Sequence, residues 1–525
     1  MNLQLPSSAS FSSPKITTMG IIFLLILFFY TLFWVISLFR NKKLQPPVAG
    51  GAWPVIGHLH LLSGSEPTHK TLGKMADAYG PIFTLKLGMH RALVVSNWEI
   101  AKECLTTNDK AFASRPTVTA SKLLGYNNSM FGFSQYGQFW RHMRKITSFQ
   151  LLSNHRLHQF EPIRSSEVHS SIKKLYELCT NDGEKVLVEM KTWFEDITLN
   201  IIFKIVFGKR FSDALEGNPD YRKTFRVLLE LFGMFVPSDS FPCLSWLDLG
   251  GYKKAMKKTS KVVDEVFDKW LEEHRQRKME SNNNKGEDFM DVLISMVKDD
   301  DEQLFGYVGD SVIKATCLAM VLAGFDTTAI TMTWALSLLL NNQEMLKKAQ
   351  LELEEQVGTQ KQVRESDVKN LEYLQAIVKE TLRLYPAAPL SIPHESMEDC
   401  SIFGYHIPSR IRLIVNLQKL QRDPLVWKDP NEFRPERFLT TQKDFDVRGQ
   451  SPQLIPFGSG RRMCPGISFS LQIIHLTLAN LLHGFEIDRP SKDLVDMEES
   501  IGLTSTKKSP LEVVLAPRLP ARVYE

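Results

Sequence analysis

Phe457-Gly458-Ser459-Gly460-Arg461-Arg462-Met463-Cys464-Pro465-Gly466 (FGSGRRMCPG) is the stretch that decides the fold and the chemistry of this chain. It fits the pattern FxxGxRxCxG, which a chain of this length matches by chance roughly less than once in a thousand cases. Glycines let the backbone approach a flat ring system closely, and Arg462 offers a planar fork of donors to a carboxylate. Residues 467–485 predict an amphipathic helix, and the positive end of its dipole favours an ionised Cys464 sulfur. These features suit a thiolate ligand to iron at Cys464, and a buried, inert cysteine before a helix is the alternative.

The number and spacing of the cysteines indicate that Cys464 has no cysteine partner. The six cysteines are Cys104, Cys179, Cys243, Cys317, Cys400 and Cys464. They are too few and too widely spaced for a disulfide scaffold, and no CxxC pair indicates structural zinc. This usage is typical of a reducing compartment. A cysteine with a chemical role must then be a lone nucleophile or a single metal ligand.

Composition places the 525-residue chain among globular proteins that can bury a large core. Hydrophobic residues make up 43% and charged residues 23%, which excludes a disordered chain, a fibrous repeat and a small disulfide-rich protein. A formal net charge of +4 provides no basic surface of the kind that follows a nucleic acid backbone, so no nucleic acid partner is expected.

One membrane anchor is predicted near the amino end. Residues 21–39, IIFLLILFFYTLFWVISLF, carry no charge and are long enough to cross a bilayer as one helix. Basic residues follow this stretch at Arg40, Lys42 and Lys43, whereas only Lys15 precedes it. The positive-inside rule therefore places the rest of the chain in the cytosol, and we expect a single-pass protein of the endoplasmic reticulum. A cleaved signal peptide and, from the serine-rich residues 1–18, a plastid transit peptide are the alternatives.

The chain accordingly divides into four parts. We expect a lumenal tail over residues 1–20, the transmembrane helix over 21–39, a proline-rich hinge over 40–53 and a catalytic domain over 54–525. The prolines and glycines around the third part predict a stiff, bent connector rather than a continuous helix.

The catalytic part is predicted to be mainly helical. Helical periodicity covers residues 160–178, 191–207, 256–280, 287–298, 343–357 and 371–384, while 82–96 and 401–416 predict short hairpins. A second apolar stretch runs from Cys317 to Leu340 with Asp326 as its only charge. A second membrane span would put Asp326 near the bilayer centre at a cost of several kcal/mol, so we expect a helix through a large core instead.

With these motifs the chain resembles a cytochrome P-450, a heme-thiolate monooxygenase, from Pro46 to Pro517. The resemblance implies a mainly α, triangular-prism fold with small β-sheets on an N-terminal transmembrane anchor. It also implies heme b with Cys464 as the axial thiolate ligand, which favours O–O cleavage, and O2 as the oxidant. Because the chain contains no GxGxxG or flavin pattern, electrons from NADPH are expected to come through a separate, membrane-bound flavoprotein reductase.

Residues 380–383 (ETLR) are similar to the ExxR motif of the family. The same spacing starts at Glu161 and at Glu272, but only Glu380 lies upstream of a segment, residues 433–438 (FRPERF), that resembles the family's PERF segment. The resemblance implies a buried charge triad with a structural role on the heme side of the core, formed by Glu380, Arg383 and Arg437.

Heme contacts are implied for several other segments. In residues 140–144 (WRHMR), Trp140 and Arg144 stand one turn apart on one helix face, and by resemblance to the family's WxxxR both reach a heme propionate. A plain amphipathic helix is the alternative for this pair. The full set expected to bind the cofactor is Trp140, Arg144, Ala323, Gly324, His394, Phe457, Arg462 and Gly466.

Residues 323–328 (AGFDTT) resemble the oxygen-activating AGxDTT motif of the family. Gly324 leaves space above the iron, and a hydroxyl bonded back to a carbonyl can open the helix into a groove that admits O2. The resemblance implies that Asp326 feeds protons from solvent and that Thr327 orients oxygen and a water. A satisfied polar kink is the alternative. Members that only rearrange peroxides often lack this pair, so the motif favours monooxygenation over isomerase or dehydratase chemistry.

Substrate preference is inferred from the branch of the family. Residues 46–62, 115–145 and 374–396 are most similar to plant microsomal members, in a branch with alkaloid N-demethylases and hydroxylases of alkaloids, furanocoumarins, flavones and terpenoids. Gln418 departs from the pattern, since relatives often carry Trp or a small apolar residue there. The pocket implied by the family comprises Phe131, Phe133, Ala323, Leu390, Ser391, Ile392 and Leu503.

These pocket residues are mostly apolar, so the substrate is expected to be a small, rigid, lipophilic molecule that is hydroxylated or oxidatively demethylated. A membrane-tethered heme-binding or lipid-binding protein without catalysis is the alternative of a different class.

Overall fold

The computed structural model describes residues 24–31, 44–181, 183, 185–214, 220–280, 288–297 and 305–525, and its longest helix is Gly309–Asn341. Within the described part of the chain, this is the one helix that is long and apolar enough to cross a membrane, yet 83% of its most apolar window is buried inside the protein. The prediction of a core helix rather than a second membrane span is therefore confirmed.

The body is mainly helical, as expected. The helices are α1 Leu59–Leu62, α2 Thr68–Tyr79, α3 Trp98–Lys102, α4 Thr119–Leu123, α5 Gln138–Gln150, α6 Asn154–Gln159, α7 Glu161–Asn181, α8 Met190–Phe207, α9 Phe211–Ala214, α10 Asp220–Gly233, α11 Pro237–Ser240, α12 Tyr252–Glu280, α13 Phe289–Met296, α14 Gly309–Asn341, α15 Gln343–Val357, α16 Glu365–Val368, α17 Glu372–Leu384, α18 Leu417–Leu420 and α19 Ile467–Gly484. The strands are β1 Ile82–Leu87, β2 His90–Val95, β3 Val186–Glu189, β4 His394–Glu395, β5 Cys400–Ile402, β6 Tyr405–Ile407, β7 Arg412–Val415, β8 Phe485–Asp488 and β9 Glu512–Pro517. Each helix that the periodicity predicted is found, with ends that differ by a few residues.

Helix α14 is the axis of the core. It is apolar on all sides, and it packs against α8, α17 and α19, which cover it in turn. Helix α8 is well delimited, because the Glu189 carboxylate accepts from two backbone N–H groups at its start and Gly208 ends it with φ of 69°. The buried helices α8 and α14 pack against each other.

Three small sheets lie around the helices. Their strand orders are β1-β2-β7-β4, β3-β9-β8 and β5-β6. The predicted hairpin over 82–96 is found as β1 and β2. The prediction of one hairpin over 401–416 is wrong in part, because β5 and β6 form the hairpin whereas β7 pairs parallel with β2. Leu413 and Val415 of β7 are fully buried, so this strand belongs to the core of the larger sheet rather than to an exposed turn.

The described part of the expected hinge, residues 44–53, runs along β1. The Thr84 N–H donates to the Pro47 carbonyl oxygen at 2.7 Å, and the Ala49 N–H donates to the Thr84 carbonyl oxygen at 3.0 Å. Ala49 is buried, so this stretch is attached to the body by backbone bonds before residue 54 is reached. The expected tail over 1–20 and most of the expected transmembrane helix over 21–39 lie outside the described residues. Residues 24–31 are helical and their side chains are exposed.

Candidate active site

A cavity of about 330 Å³ lies between α14 and the loop that carries Cys464. It brings together most of the residues that the sequence singled out. Lining it are Phe131, Phe133, Trp140, Arg144, Ala323, Gly324, Asp326, Thr327, Ser391, Ile392, His394, Phe457, Arg462, Cys464, Gly466 and Leu503. Residues from distant parts of the chain therefore converge on one mostly apolar space.

Leu390 is the predicted pocket residue that does not line the cavity. It packs instead against the small core beneath β1 and β2, which includes Leu72 and Phe83. The physical reason is a turn in the backbone, since the next residue, Ser391, has φ of 58° and the chain changes direction there. The prediction for Leu390 is corrected accordingly.

The Cys464 loop is shaped by backbone bonds and by glycines. The Cys464 N–H donates to the Phe457 carbonyl oxygen at 3.0 Å, which closes the loop. Gly460 has φ of 68°, and a Cβ there would lie 2.0 Å from the Leu105 carbonyl oxygen. Only glycine fits this position, so the second glycine of the motif is needed for the close contact of the loop with the segment around Leu105.

The Cys464 sulfur lies at the floor of the cavity, three residues before the start of α19. Burial raises the pKa of the Cys464 thiol, while the Gly466 N–H and the positive charge of Arg144 lower it. The expected effect of the helix start on the sulfur is therefore present, but it is smaller than the cost of burying an anion. A cation bound to the sulfur would compensate this cost, as a heme iron does in a thiolate site.

Three arginines, Arg115, Arg144 and Arg462, line the same end of the cavity. The guanidinium carbon of Arg462 lies 4.4 Å from the centre of the Trp140 ring, and its N–H groups donate to the carbonyl oxygens of Ala113 and Ser134. Burial, together with the charges of Arg115 and Arg144, lowers the pKa of Arg462 to about 8. Burial also lowers the pKa of Arg115 to about 9.

An anion is required to balance the positive charges of these three arginines. The Arg115 Nε is buried and has no hydrogen-bond partner among the residues that the structure describes. Among the described residues that line the cavity, Asp326 is the one carboxylate, and it is bonded to Thr504 instead. Two carboxylates placed here would pair with the arginines and relieve their mutual repulsion. The side chains thus fit the propionates of a heme whose iron meets Cys464.

Arg115 was not predicted from the sequence. A single arginine between a serine and Pro116 belongs to no recognisable sequence motif. Its burial beside Arg462 becomes visible only in the fold. Its terminal N–H group donates to the carbonyl oxygens of Ile392 and Pro393, which fixes the guanidinium at the edge of the cavity.

His394 lies beside the arginines in a fixed orientation. Its Nδ1 is 2.7 Å from the Phe112 carbonyl oxygen, an atom that can only accept, so Nδ1 carries the proton. Burial and the charge of Arg115 hold the pKa of His394 well below its usual range. The ring is therefore neutral in this environment, and Nε2 is the nitrogen left for a bound group.

The AGFDTT segment lies in the middle of α14, which continues through it as one helix. The Thr327 hydroxyl donates to the Ala323 carbonyl oxygen at 2.7 Å, the backbone bond that the sequence led us to expect. The Thr331 hydroxyl donates in the same manner to the Thr327 carbonyl oxygen at 2.9 Å. These bonds fix the threonine side chains on the face of the helix that lines the cavity.

Gly324 has a further role that the sequence did not indicate. A Cβ at this position would lie 2.6 Å from the Cδ1 atom of Ile202 on α8. The space that we expected Gly324 to leave above the iron is thus taken, in the direction of the missing side chain, by a neighbouring helix. Glycine at 324 lets α8 and α14 approach each other closely.

Asp326 points away from bulk solvent, with only 8% of its surface exposed. The Thr504 hydroxyl donates to its Oδ2 atom at 3.1 Å. Burial raises the pKa of Asp326, and the charge of Lys191 and the bond from Thr504 lower it, while the charge of Glu195 raises it further. The acid therefore favours its protonated form more than an exposed aspartate does.

The predicted charge triad is assembled beneath the site. Arg383 forms two bonds to the Glu380 carboxylate, at 2.7 and 2.8 Å, and the Arg437 Nε donates to it at 3.0 Å. Glu380 and Arg383 are fully buried, and carbonyl oxygens accept the remaining guanidinium donors.

The other two ExxR tetrapeptides do not form internal pairs. Arg164 bonds to Glu365 and Arg275 bonds to Asp310, each on another part of the chain. The ExxR spacing alone therefore did not identify the ion pair, whereas the PERF-like segment at residues 433–438 pointed to Glu380 and Arg383.

Gln418, the departure from the family pattern, lies in a buried polar cluster. Its Nε2 donates at 3.1 Å to the Glu499 carboxylate, which also pairs with Lys70 at 2.7 Å. A polar side chain is therefore accommodated here because a buried carboxylate accepts its N–H group. The cluster lies outside the cavity lining.

Comparison with known proteins agrees with this geometry. The family model described as Cytochrome P450 matches residues 46–514. A zebra fish cytochrome P450 structure with progesterone has a TM-score of 0.71 and 25% sequence identity, and the alignment covers 86% of this chain and 100% of that one.

Curated plant proteins are more similar in sequence. A flavonoid-6-hydroxylase of Ocimum basilicum is 52% identical over 91% of this chain and 92% of its own length. The xanthotoxin 5-hydroxylase CYP82C4 of Arabidopsis thaliana is 49% identical over 94% of this chain and 97% of its own length. A strychnine-10-hydroxylase of Strychnos nux-vomica is 49% identical over 95% of this chain and 97% of its own length.

Proposed function

Because this chain belongs to the cytochrome P450 family, we propose that it hydroxylates a small, lipophilic plant specialised metabolite of the flavonoid, coumarin or alkaloid type. As a member of the family it is a monooxygenase that holds heme through a cysteine thiolate and uses O2 with electrons passed from NADPH by a reductase. The observation that carries the proposal is the convergence of Cys464 and the Asp326–Thr327 pair on one mostly apolar cavity.

The cavity lining supports an aromatic or polycyclic substrate. Phe133, from the loop before α5, and Phe232, from α10, are stacked with ring centroids 5.3 Å apart and an angle of 14° between the planes. Both rings line the cavity together with Phe131, Ile202 and Leu503. Flat apolar faces of this kind bind rigid ring systems by burial and stacking.

Heme, when bound, supplies the binding and reductive activation of O2. In the proposed mechanism Arg115, Arg144 and Arg462 would hold the propionates and so set the orientation of the ring. The reaction needs protons as well as electrons, and in the proposal Asp326, whose side chain lines the cavity, passes them from its carboxyl group. The Thr327 hydroxyl donates to the Ala323 carbonyl oxygen, and its oxygen would orient the water that delivers the proton. Apolar side chains exclude bulk water from the cavity.

We further propose that the enzyme is anchored in the endoplasmic reticulum membrane by residues 21–39, with the catalytic domain in the cytosol. The apolar composition of this stretch and the basic residues after it support that topology. The four-part division with boundaries at 20, 39 and 53 belongs to the same proposal.

The experiment is expression in microsomes with an NADPH-dependent reductase, followed by incubation with flavones, furanocoumarins and indole or isoquinoline alkaloids. The expected products gain one oxygen atom, or lose a methyl group after oxidation, and their formation requires O2, NADPH and the reductase. Turnover of the substrate in the absence of O2, NADPH and the reductase together would instead support isomerase or dehydratase chemistry.

A variant separates catalysis from simple heme binding. Thr327→Ala removes the hydroxyl and should divert reducing equivalents into peroxide, whereas Thr327→Ser should keep most of the product yield. If Thr327→Ala leaves product formation and its coupling to O2 consumption unchanged, the catalytic role of this segment is refuted.

A further inference from the structure

Thr504 connects the substrate side of the cavity to the Asp326 carboxyl group. Its hydroxyl donates a hydrogen bond of 3.1 Å to Asp326 Oδ2, and both residues line the cavity. Asp326 belongs to α14, whereas Thr504 belongs to the loop of residues 499–507 near the carboxyl end of the chain. The bond therefore ties the central helix to a peripheral loop.

The position of Thr504 is fixed by bonds to the residue that follows it. The Trp334 indole N–H donates to the Ser505 carbonyl oxygen at 2.6 Å, and the Ser505 N–H donates to the Ala387 carbonyl oxygen at 2.9 Å. Trp334 is a residue of α14 itself. The loop is thus bonded to α14, the helix that carries the Asp326 carboxyl group, and the Thr504 hydroxyl is held beside that carboxyl group.

The preceding residue, Leu503, faces the substrate space. It lines the cavity, and α10 lies against its backbone so closely that a Cβ on Gly233 would be 3.1 Å from the Leu503 nitrogen. Leu503 and Thr504 are adjacent in the chain, so the loop that reaches the substrate space also carries the hydroxyl bonded to Asp326.

The bond from Thr504 has consequences for proton transfer. A carboxyl group that accepts a hydrogen bond on one oxygen keeps one orientation, and its other oxygen stays available to a proton. The donated bond also stabilises the charged form and opposes burial, which raises the pKa of Asp326. The other charged groups that act on this carboxyl group are Lys191 and Glu195 on α8, with opposite signs.

We propose that Thr504 is a positioning residue that orients the Asp326 carboxyl group for proton transfer and links it to the loop that contacts the substrate. The inference rests on the proposed function, because it takes Asp326 as the source of protons for an O2-dependent reaction. No bond to Thr504 is made or broken in the reaction, so its effect is exerted through Asp326.

The first test needs no turnover. It compares Thr504→Val, which keeps the side-chain shape but removes the hydroxyl, with Thr504→Ser, which keeps the hydroxyl, both as full-length, heme-loaded enzyme. The carbonyl stretch of the Asp326 carboxylic acid is titrated by infrared difference spectroscopy, and Asp326→Asn identifies the band by its loss. Thr504→Val is expected to raise the pKa by about one to two units, and Thr504→Ser is expected to retain the wild-type value. An unchanged pKa in Thr504→Val overturns the proposal.

The second test measures product formed and peroxide released per NADPH consumed, in microsomes with reductase. Thr504→Val is expected to lower the product yield per NADPH by roughly three- to ten-fold, whereas Thr504→Ser stays near the wild type. In the Asp326→Asn background Thr504→Val should have no additional effect. Equal losses in both Thr504 variants would indicate a purely steric role and contradict the proposal. If the wild type forms no O2-dependent product, the proposed function fails, and the infrared titration still decides whether Thr504 controls the carboxyl group.

Discussion

The guanidinium carbon of Arg462 lies 4.4 Å from the centre of the Trp140 ring, so the cysteine loop and helix α5 meet at the wall of the cavity. The contact holds a partly buried positive charge against the face of the buried Trp140 ring, where a cation–π interaction is stronger than at a fully exposed site. Together with the bonds to the carbonyl oxygens of Ala113 and Ser134, it holds the guanidinium at the wall of the cavity.

Replacing Arg462 by Ala should therefore weaken heme retention. Loss of one partner from a buried, hydrogen-bonded charge pair costs about 2–5 kcal/mol, which appears as faster transfer of heme to an apo-acceptor protein. Arg461→Ala is the matched control, because the Arg461 guanidinium bonds to Asp109 and Tyr136, outside the cavity lining. Equal heme loss in both variants would contradict the assignment of Arg462.

Glu380→Ala should destabilise the folded protein by about 3–5 kcal/mol, because Arg383 and Arg437 would be left as unpaired buried charges. Glu272→Ala has the same ExxR spacing, but among the described residues the Glu272 carboxylate accepts only from Gln276, in an exposed contact, so a change within about 0.5 kcal/mol is expected. Urea denaturation of the two variants checks the difference. A Glu380→Ala protein as stable as Glu272→Ala, with normal heme content, would refute the structural role of the triad.

Gly324→Ala should impair packing between α8 and α14, since its methyl group would meet Ile202 Cδ1 at 2.6 Å. The expected cost is about 1–3 kcal/mol, and Ile202→Val should recover much of it by removing the atom that clashes. Thermal denaturation of the two single variants and the double variant measures the rescue. If the double variant is no more stable than Gly324→Ala, the helix contact is not the reason for glycine at this position.

Asp326 should make stability fall as pH rises through its titration. Burial raises the pKa of Asp326 in the folded protein, so between the ordinary and the raised pKa the folded state binds a proton that the unfolded state has released. The free energy of unfolding therefore decreases with pH in that window and levels off above the raised pKa. Asp326→Asn does not titrate, so its stability should exceed that of the wild type increasingly as pH rises through the window. Denaturation of both proteins across a pH series tests this, and parallel curves would contradict it.

The sequence predicted the fold and the centre of the site because both depend on local patterns. Helical periodicity located α7, α8, α12, α13, α15 and α17, and the spacing of the cysteine motif located Cys464. A buried polar group in the middle of an apolar helix pointed to Asp326 in the same way. In each case the information lies within a few turns of the chain.

Contacts between distant segments could not be read from such patterns. Arg115 lies among the other arginines only because its own segment, before α4, meets the cysteine loop in the fold, and Thr504 reaches Asp326 only because the loop at 499–507 folds back onto α14. Leu390 was placed in the pocket by analogy, but a left-handed turn at Ser391 directs it into a neighbouring core. Strand β7 was assigned to a hairpin because its parallel partner is far away in sequence.

The central claim is that the Cys464 sulfur holds the heme iron as a thiolate, and the absorption spectrum of the reduced protein with carbon monoxide tests it most directly. The account predicts a strongly red-shifted Soret band for the wild type and its loss in Cys464→Ser, while Cys317→Ser, at a buried cysteine outside the cavity lining, keeps it. A folded, heme-loaded wild-type protein without the red-shifted band would contradict the account.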